Sequence, residues 1–273
     1  MRKSVIISDG TFVCTTAPLQ GPMKEVIPAA AAIGYEAVQL TVNRPEEIDV
    51  NELNDLLAQH GLAVSAIATG RGYTVDGLSM GSGDEANRKS AVERMKGHVD
   101  LSVKIGKPSV VIGAIRGWST DASSREEYVA QFDKSVKELV AYAEEKQVII
   151  ILEANDHLET DYLLTAEETG AYIRNVGSPY LKLQLDTMHM YYENEEVYAP
   201  VVENADILQQ VDISGEAREF PDEAKFDYPL LFKALTEIGF KGDLAFEFRP
   251  DCVPDAAKAG CEYVTRLIAE AAN

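Results

Sequence analysis

Four acids close four successive apolar runs. Glu153 follows Ile149-Ile150-Ile151-Leu152, Asp186 follows Leu183-Gln184-Leu185, Asp212 follows Leu208-Gln209-Gln210-Val211, and Glu247 follows Leu244-Ala245-Phe246. One acid in such a place is ordinarily a helix N-cap or a loop residue. Four in succession, separated by 33, 26 and 35 residues, ask for another explanation. Packed together without a cation, they would push one another's pKa values up and oppose folding. Oxygen ligands around a hard divalent ion such as Mn²⁺ or Mg²⁺ remove that repulsion. Metal binding is therefore the chemistry this pattern predicts. Asp186 also leads, three residues on, to His189, and Asp212 leads to Glu216 and Arg218.

These acids act together only if their strands lie side by side and point the same way. The apolar runs Ser4–Ile7, Ala37–Leu40, Ala63–Ala68, Ser109–Ile112, Val148–Leu152, Lys182–Leu185, Ile207–Ile213 and Leu244–Phe246 are eight candidate strands. Helical patterns fall between them: Met23–Ile33, Val50–Gln59, Asp84–Ile105, Ser124–Lys146, Thr165–Asn175, Glu195–Asn204, Tyr228–Ile238 and Asp255–Ala271. Gly34, Gly61 and Gly106 stand at helix ends, and Thr165 with Glu168 forms a capping box. Strict β-α alternation, eight times in 273 residues, predicts an α/β fold of the (β/α)₈ barrel type, a single domain over 1–273. An open doubly wound sheet would carry a glycine-rich fingerprint after its first strand, and none is present. Gly70-Arg71-Gly72, after the third strand, lacks the third glycine of that fingerprint. In a barrel the chemistry lies where the strands end, which is where the four acids stand.

Composition narrows the partners. Asp and Glu number 45 against 25 Lys and Arg, a formal charge of −20, with no basic cluster. A nucleic-acid groove needs a Lys/Arg footprint, so none is expected. No apolar stretch reaches the length of a membrane span, and the N-terminal apolar run is too short for a signal peptide. Cys14, Cys252 and Cys261 are odd in number and show no paired spacing, which points to reduced thiols in the cytoplasm.

The segments Leu152-Glu153, Leu185-Asp186-Thr187-Met188-His189, Ser214-Gly215-Glu216-Ala217-Arg218 and Phe246-Glu247 together resemble the xylose isomerase-like TIM-barrel superfamily. Within it the ketose 3-epimerases of the D-tagatose/D-psicose type look most similar. The resemblance spans the barrel and is strongest between Glu153 and Glu247. It implies that Glu153, Asp186 and Glu247 are metal ligands and that Glu153 and Glu247 are also the acid/base pair. It further implies that His189, Arg218 and Glu159 contact the substrate. The implied cofactor is a divalent metal, Mn²⁺ first, with Mg²⁺ or Co²⁺ as alternatives. The implied reaction is sugar isomerisation or epimerisation: a proton is taken from the carbon beside a carbonyl, through an enediolate held on the metal, and returned by the second glutamate. A homo-oligomer, dimer or tetramer, is the implied assembly. The chain departs from the pattern once, because the family's fourth ligand is a histidine where this chain has Asp212. Either Asp212 completes an all-oxygen site, or it stands off the metal with water or His189 in its place.

Two other functions fit the same residues. A relative of this superfamily could use the glutamate pair and metal for β-elimination from an oxidised glycoside, and a barrel that binds metal without catalysis would keep the same acids. The endonuclease IV-type branch needs several zinc-binding histidines and a basic face, which four scattered histidines and a charge of −20 do not supply. Among the remaining residues, Trp118 is expected to wall a sugar pocket or to pack under its loop. Arg116 is open to an anionic substrate and His157 to a substrate contact. Tyr191 and Tyr192 read as a lid or an oligomer contact. His60 belongs to a helix C-terminus, and His98 to a helix surface or its packing. No glycine-rich phosphate loop is evident, which favours an unphosphorylated sugar.

Overall fold

A computed structural model of the chain describes residues 1–10 and 14–272. Eight strands form its centre: β1 (Arg2–Ser8), β2 (Ala37–Thr41), β3 (Ala63–Ala68), β4 (Ser109–Ile112), β5 (Ile150–Glu153), β6 (Leu181–Asp186), β7 (Leu208–Ile213) and β8 (Asp243–Phe246). Each pairs in parallel with the next, and β8 pairs with β1, so the sheet closes. The two-residue strand Leu19–Gln20 adds to the end of β1. The predicted (β/α)₈ barrel is the observed fold.

Helices α1 (Met23–Ile33), α2 (Val50–His60), α3 (Glu85–Lys104), α4 (Arg125–Lys146), α5 (Ala166–Val176), α6 (Tyr198–Glu203), α7 (Tyr228–Glu237) and α8 (Ala256–Ala271) surround it. Their limits are set by short polar signals. The side chains of Asp49, Asp84, Ser124 and Thr165 each accept a bond from a backbone N–H of the helix they open. Gly34, Gly61 and Gly177 end α1, α2 and α5 in the left-handed region. The main core lies between the outer face of the sheet, with Val5, Val38, Leu152, Leu185, Val211 and Phe246 among its residues, and the inward stripe of each helix. Among the described residues no helix is long and apolar enough to cross a membrane.

Two segments near the strand ends differ from expectation. Helix α6 begins at Tyr198 rather than Glu195, because the Glu195 carboxylate turns away to accept from Ala166 N at 2.8 Å, at the start of α5. The segment after Asp186 is a six-residue helix, Thr187–Tyr192, which is not among the eight helical patterns of the sequence. Asp186 itself caps it, accepting from Met188 N at 2.7 Å.

The barrel interior carries polar side chains beside a small apolar cluster of Ala66, Val111 and Ile151. Ser4 Oγ on β1 meets Ser65 Oγ on β3 at 2.7 Å, and Gln210 Nε2 on β7 donates to Gln39 Oε1 on β2 at 2.6 Å. Bonds between strands that are not neighbours cross the interior, so these residues lie inside the barrel, below the strand ends.

Candidate active site

The closed register brings the four acids to one end of the barrel. Asp186 on β6 is level with Asp212 on β7, and Glu247 N bonds to Ile213 O at 3.2 Å, which sets Glu247 beside the end of β7. Glu153, Asp186, Asp212 and Glu247 each bring a carboxylate oxygen within 4.8 Å of the others'. His189 forms a second such group with Glu153 and Asp186.

A layer of glutamines holds this cluster from below. Gln184 Nε2 donates to Glu153 Oε1 at 2.8 Å and to Asp212 Oδ2 at 3.1 Å. Gln210 Nε2 donates to Asp212 Oδ1 at 2.7 Å, and Gln39 Nε2 reaches Asp212 Oδ2 at 3.4 Å. Three strands thus fix one carboxylate. Sequence reasoning did not single these glutamines out, although the signal was present. Gln184 and Gln210 each precede an acid by two residues, which places them on the same side of the strand.

Above the acids stands Arg218. Its guanidinium donates to Asp186 Oδ2, to Ser214 Oγ at 3.1 Å, and lies 3.3 Å from Glu247 Oε2 and 3.9 Å from Glu159 Oε1. The turn that delivers it is strained: Ala217 and Arg218 both have positive φ, 54° and 59°. Tyr192 Oη, accepting from Ala217 N at 3.1 Å, braces that turn, so this tyrosine is a strut for the site. His189 faces Glu153 and Arg218 with Nε2, while Nδ1 bonds to the buried Asp156 at 2.6 Å. Asp156 orients the imidazole, a role that nothing in the sequence pattern marked.

Burial and mutual repulsion leave the acids short of positive charge. Burial raises Glu153 to about 7, with the charges of Glu247 and Asp186 adding to the rise. Burial and the neighbouring carboxylates hold Asp212 well above the usual carboxylate range. Glu247 is also raised, by burial first, against the pull of Arg218. Asp186 alone is lowered: burial pushes it up, but the charges of Arg218 and His189 outweigh that. For His189, burial favours the neutral ring, yet Asp186 and the bond to Asp156 prevail and raise it to about 9. The Gln184 Oε1 atom is buried with no hydrogen-bond partner. Hard oxygen donors, unrelieved repulsion and an orphaned carbonyl oxygen together fit a divalent cation.

The acids open into two adjoining cavities. The inner one, about 110 Å³, is lined by Gln39, Glu153, Gln184, Asp212, Arg218 and Glu247 among others. The outer one, about 280 Å³, is bounded by Cys14, Thr16, Arg71, Glu159, Arg218 and Glu247 among others. A cavity of about 380 Å³ at the other end of the barrel, around Arg2, Lys107 and Asp243, meets none of the four acids.

Glu153, Asp186, His189, Asp212, Arg218, Glu247 and Glu159 therefore converge. Trp118 does not join them: it is half-buried ahead of the Ser119–Asp121 turn and borders neither cavity at the strand ends. Arg116 is not a substrate contact. It is fully buried, and its guanidinium donates to the carbonyls of Ile112, Gly113, Glu153, Tyr162 and Leu163 and to Asn155 Oδ1. It clasps the ends of β4 and β5 beneath Glu153. His157 is exposed and paired with Glu193 at 2.6 Å. His98 is buried in α3, and His60 ends α2.

A (β/α)₈ barrel with its reactive groups at the C-terminal ends of the strands is a common enzyme scaffold, and sequence comparison gives the family. The family model for the xylose isomerase-like TIM barrel matches residues 27–267, so the chain belongs to that family. It is 28% identical over 217 residues to a ketose 3-epimerase of Arthrobacter globiformis, covering 78% of this chain and 73% of that protein. It is 28% identical over 242 residues to an L-ribulose 3-epimerase of Mesorhizobium japonicum, covering 87% and 79%. A solved L-ribulose 3-epimerase superposes with a TM-score of 0.84 at 23% identity, covering 100% of this chain and 96% of that one, which bears out the fold.

Proposed function

We propose that this protein is a metal-dependent sugar isomerase or epimerase that moves a proton at the carbon beside a carbonyl. The observation that carries this reading is the meeting of Glu153, Asp186, Asp212 and Glu247 at one end of the barrel, their oxygens within 4.8 Å. Glu153, Asp186, Asp212 and Glu247 would hold the cation, Mn²⁺ first, with Mg²⁺ or Co²⁺ as alternatives. When bound, the ion supplies positive charge that makes the C–H beside the carbonyl more acidic.

The chain's own residues do the rest. Glu153 and Glu247 stand at the ends of β5 and β8, three strands apart around the ring, so they approach a sugar lying between them from different sides. One takes the proton and the other returns it. Arg218 donates to the substrate oxygen that gathers negative charge, and His189, its ring fixed by Asp156, donates to a neighbouring oxygen. Glu159, at the rim, accepts from a sugar hydroxyl. The kinship with ketose and ribulose 3-epimerases supports epimerisation of a ketose at C3 as the specific reaction. We take the whole of 1–273 as one working domain, acting in the cytoplasm as a dimer or tetramer, a state that light scattering reads directly.

Solvent exchange tests this. A panel of ketopentoses and ketohexoses incubated with Mn²⁺-loaded protein in D₂O should gain deuterium next to the carbonyl, seen by proton NMR, and a chelator should stop it. Absence of exchange in every ketose would contradict the reading.

A further inference from the structure

The triplet Gly70-Arg71-Gly72 stands on the strand-end face and has no part in the chemistry above. It is firmly seated. Thr69 Oγ1 donates to Val111 O at 2.7 Å, and Gly72 N and Thr74 N close a single helical turn onto Thr69 O and Gly70 O at 2.9 and 3.1 Å. A Cβ on Gly72 would lie 2.8 Å from Ile115 Cδ1, so a glycine there lets the turn press against the loop after β4. Arg71, held by that turn, is half-buried and lines the outer cavity of about 280 Å³ with Thr15, Thr16, Thr41 and Thr74. Glu159, Arg218 and Glu247 bound the same space.

Charge gives the arginine its meaning. Five carboxylates, Glu153, Glu159, Asp186, Asp212 and Glu247, surround the reacting end. The guanidinium of Arg218 is already engaged by Asp186, Glu247 and Glu159. The whole chain carries a formal charge of −20. A neutral sugar needs no cation at the mouth of such a site, because carboxylates and threonine hydroxyls satisfy its hydroxyls. An anion would be turned away unless a fixed positive charge met it there.

We propose that Arg71 and the threonines beside it form a carboxylate subsite. The substrate would then be a keto sugar acid, with its carboxylate at the end remote from the reacting carbon. A single guanidinium and threonine hydroxyls, in a space that Glu159 and Glu247 also bound, suit one negative charge at most. A phosphate would call for more donors, such as a ring of backbone N–H groups at a longer helix. This inference rests on the sugar chemistry proposed above and adds the class of sugar.

The test uses matched pairs that differ only in the terminal group: D-fructose with D-fructuronate, and D-tagatose with D-tagaturonate. Isothermal titration of each into the Mn²⁺-loaded protein should show at least one uronate bound tenfold or more tighter than its neutral partner. Arg71→Gln should bring that ratio near unity, Arg71→Lys should restore part of it, and circular dichroism should show both variants folded. Equal binding within both pairs would overturn the proposal. So would a ratio that survives in Arg71→Gln, or D-fructose 6-phosphate binding tighter than D-fructuronate. Deuterium exchange run on the same pairs separates the two claims. A uronate preference that depends on Arg71 without exchange upholds the subsite and sinks the proton-transfer reading, while exchange without that preference does the reverse.

Discussion

At the scale of single residues, the site depends on groups held from behind. Asp212 takes bonds from Gln39, Gln184 and Gln210, so its oxygens are aimed before any cation arrives. Asp212→Asn should therefore weaken Mn²⁺ binding at least tenfold with little effect on folding, as read by calorimetric titration. An unchanged affinity would place Asp212 off the metal and favour water or His189 in its stead. Glu153→Gln and Glu247→Gln should each slow solvent exchange by about 10²–10⁴-fold, the usual share of a positioned acid or base. Equal loss from both would mark them as a pair, whereas a negligible effect from either would remove it from proton transfer. Arg116 carries a different load. Replacing it with alanine removes the guanidinium that donates to five carbonyls, most of them buried, so Arg116→Ala should cost on the order of 3 kcal/mol in urea unfolding. A cost below about 1 kcal/mol would mean that water replaces the guanidinium.

At the scale of elements, the turn at Ala217 and Arg218 is the point of strain. A non-glycine residue in the left-handed region costs roughly 1 kcal/mol, and Ala217 has no side-chain bond to offset it. Ala217→Gly should raise the thermal midpoint slightly, while Tyr192→Phe, which removes the acceptor for Ala217 N, should slow catalysis more than it lowers stability. The converse pattern would make Tyr192 a packing residue. This turn also shows where the sequence stopped being legible. Strands and helices could be read because apolar spacing alternates between two periods and because Asp, Ser, Thr and Gly mark helix ends. The strand-end acids followed from that alternation. Nothing in Glu216-Ala217-Arg218 announces positive φ, since the glycine that precedes it is extended. Asp156 was hidden because its link to His189 joins the loop after β5 to the short helix after β6, 33 residues apart in the chain. The sequence leaves Trp118 between pocket wall and loop packing for a similar reason: Ser119 N bonds to Asp161 Oδ1 at 2.9 Å, and that loop-to-loop tie sets the path of the segment.

At the scale of the whole molecule, the metal-free protein should grow less stable as pH rises. Glu153 and Glu195 are both raised to about 7, by burial first, so the folded state keeps protons that the unfolded chain has already released. Stability then falls as pH climbs from about 4.5 to 7, for Glu153 by on the order of 3 kcal/mol. His189, raised to about 9, acts in the same direction between about 6.5 and 9, because its folded-state charge is lost there. Thermal melts of chelated protein across this range should show the decline, and Glu195→Gln should remove only its own share. Added Mn²⁺ should flatten the part due to Glu153, since a bound cation favours the ionised carboxylate. The most direct test of the account is a calorimetric titration of the chelated protein with Mn²⁺ near neutral pH. One ion bound per chain, with release of protons and loss of binding in an Asp186→Asn, Glu247→Gln double variant, is the expected result. No binding, or binding that the double variant leaves intact, would contradict a cation centre at the ends of these strands.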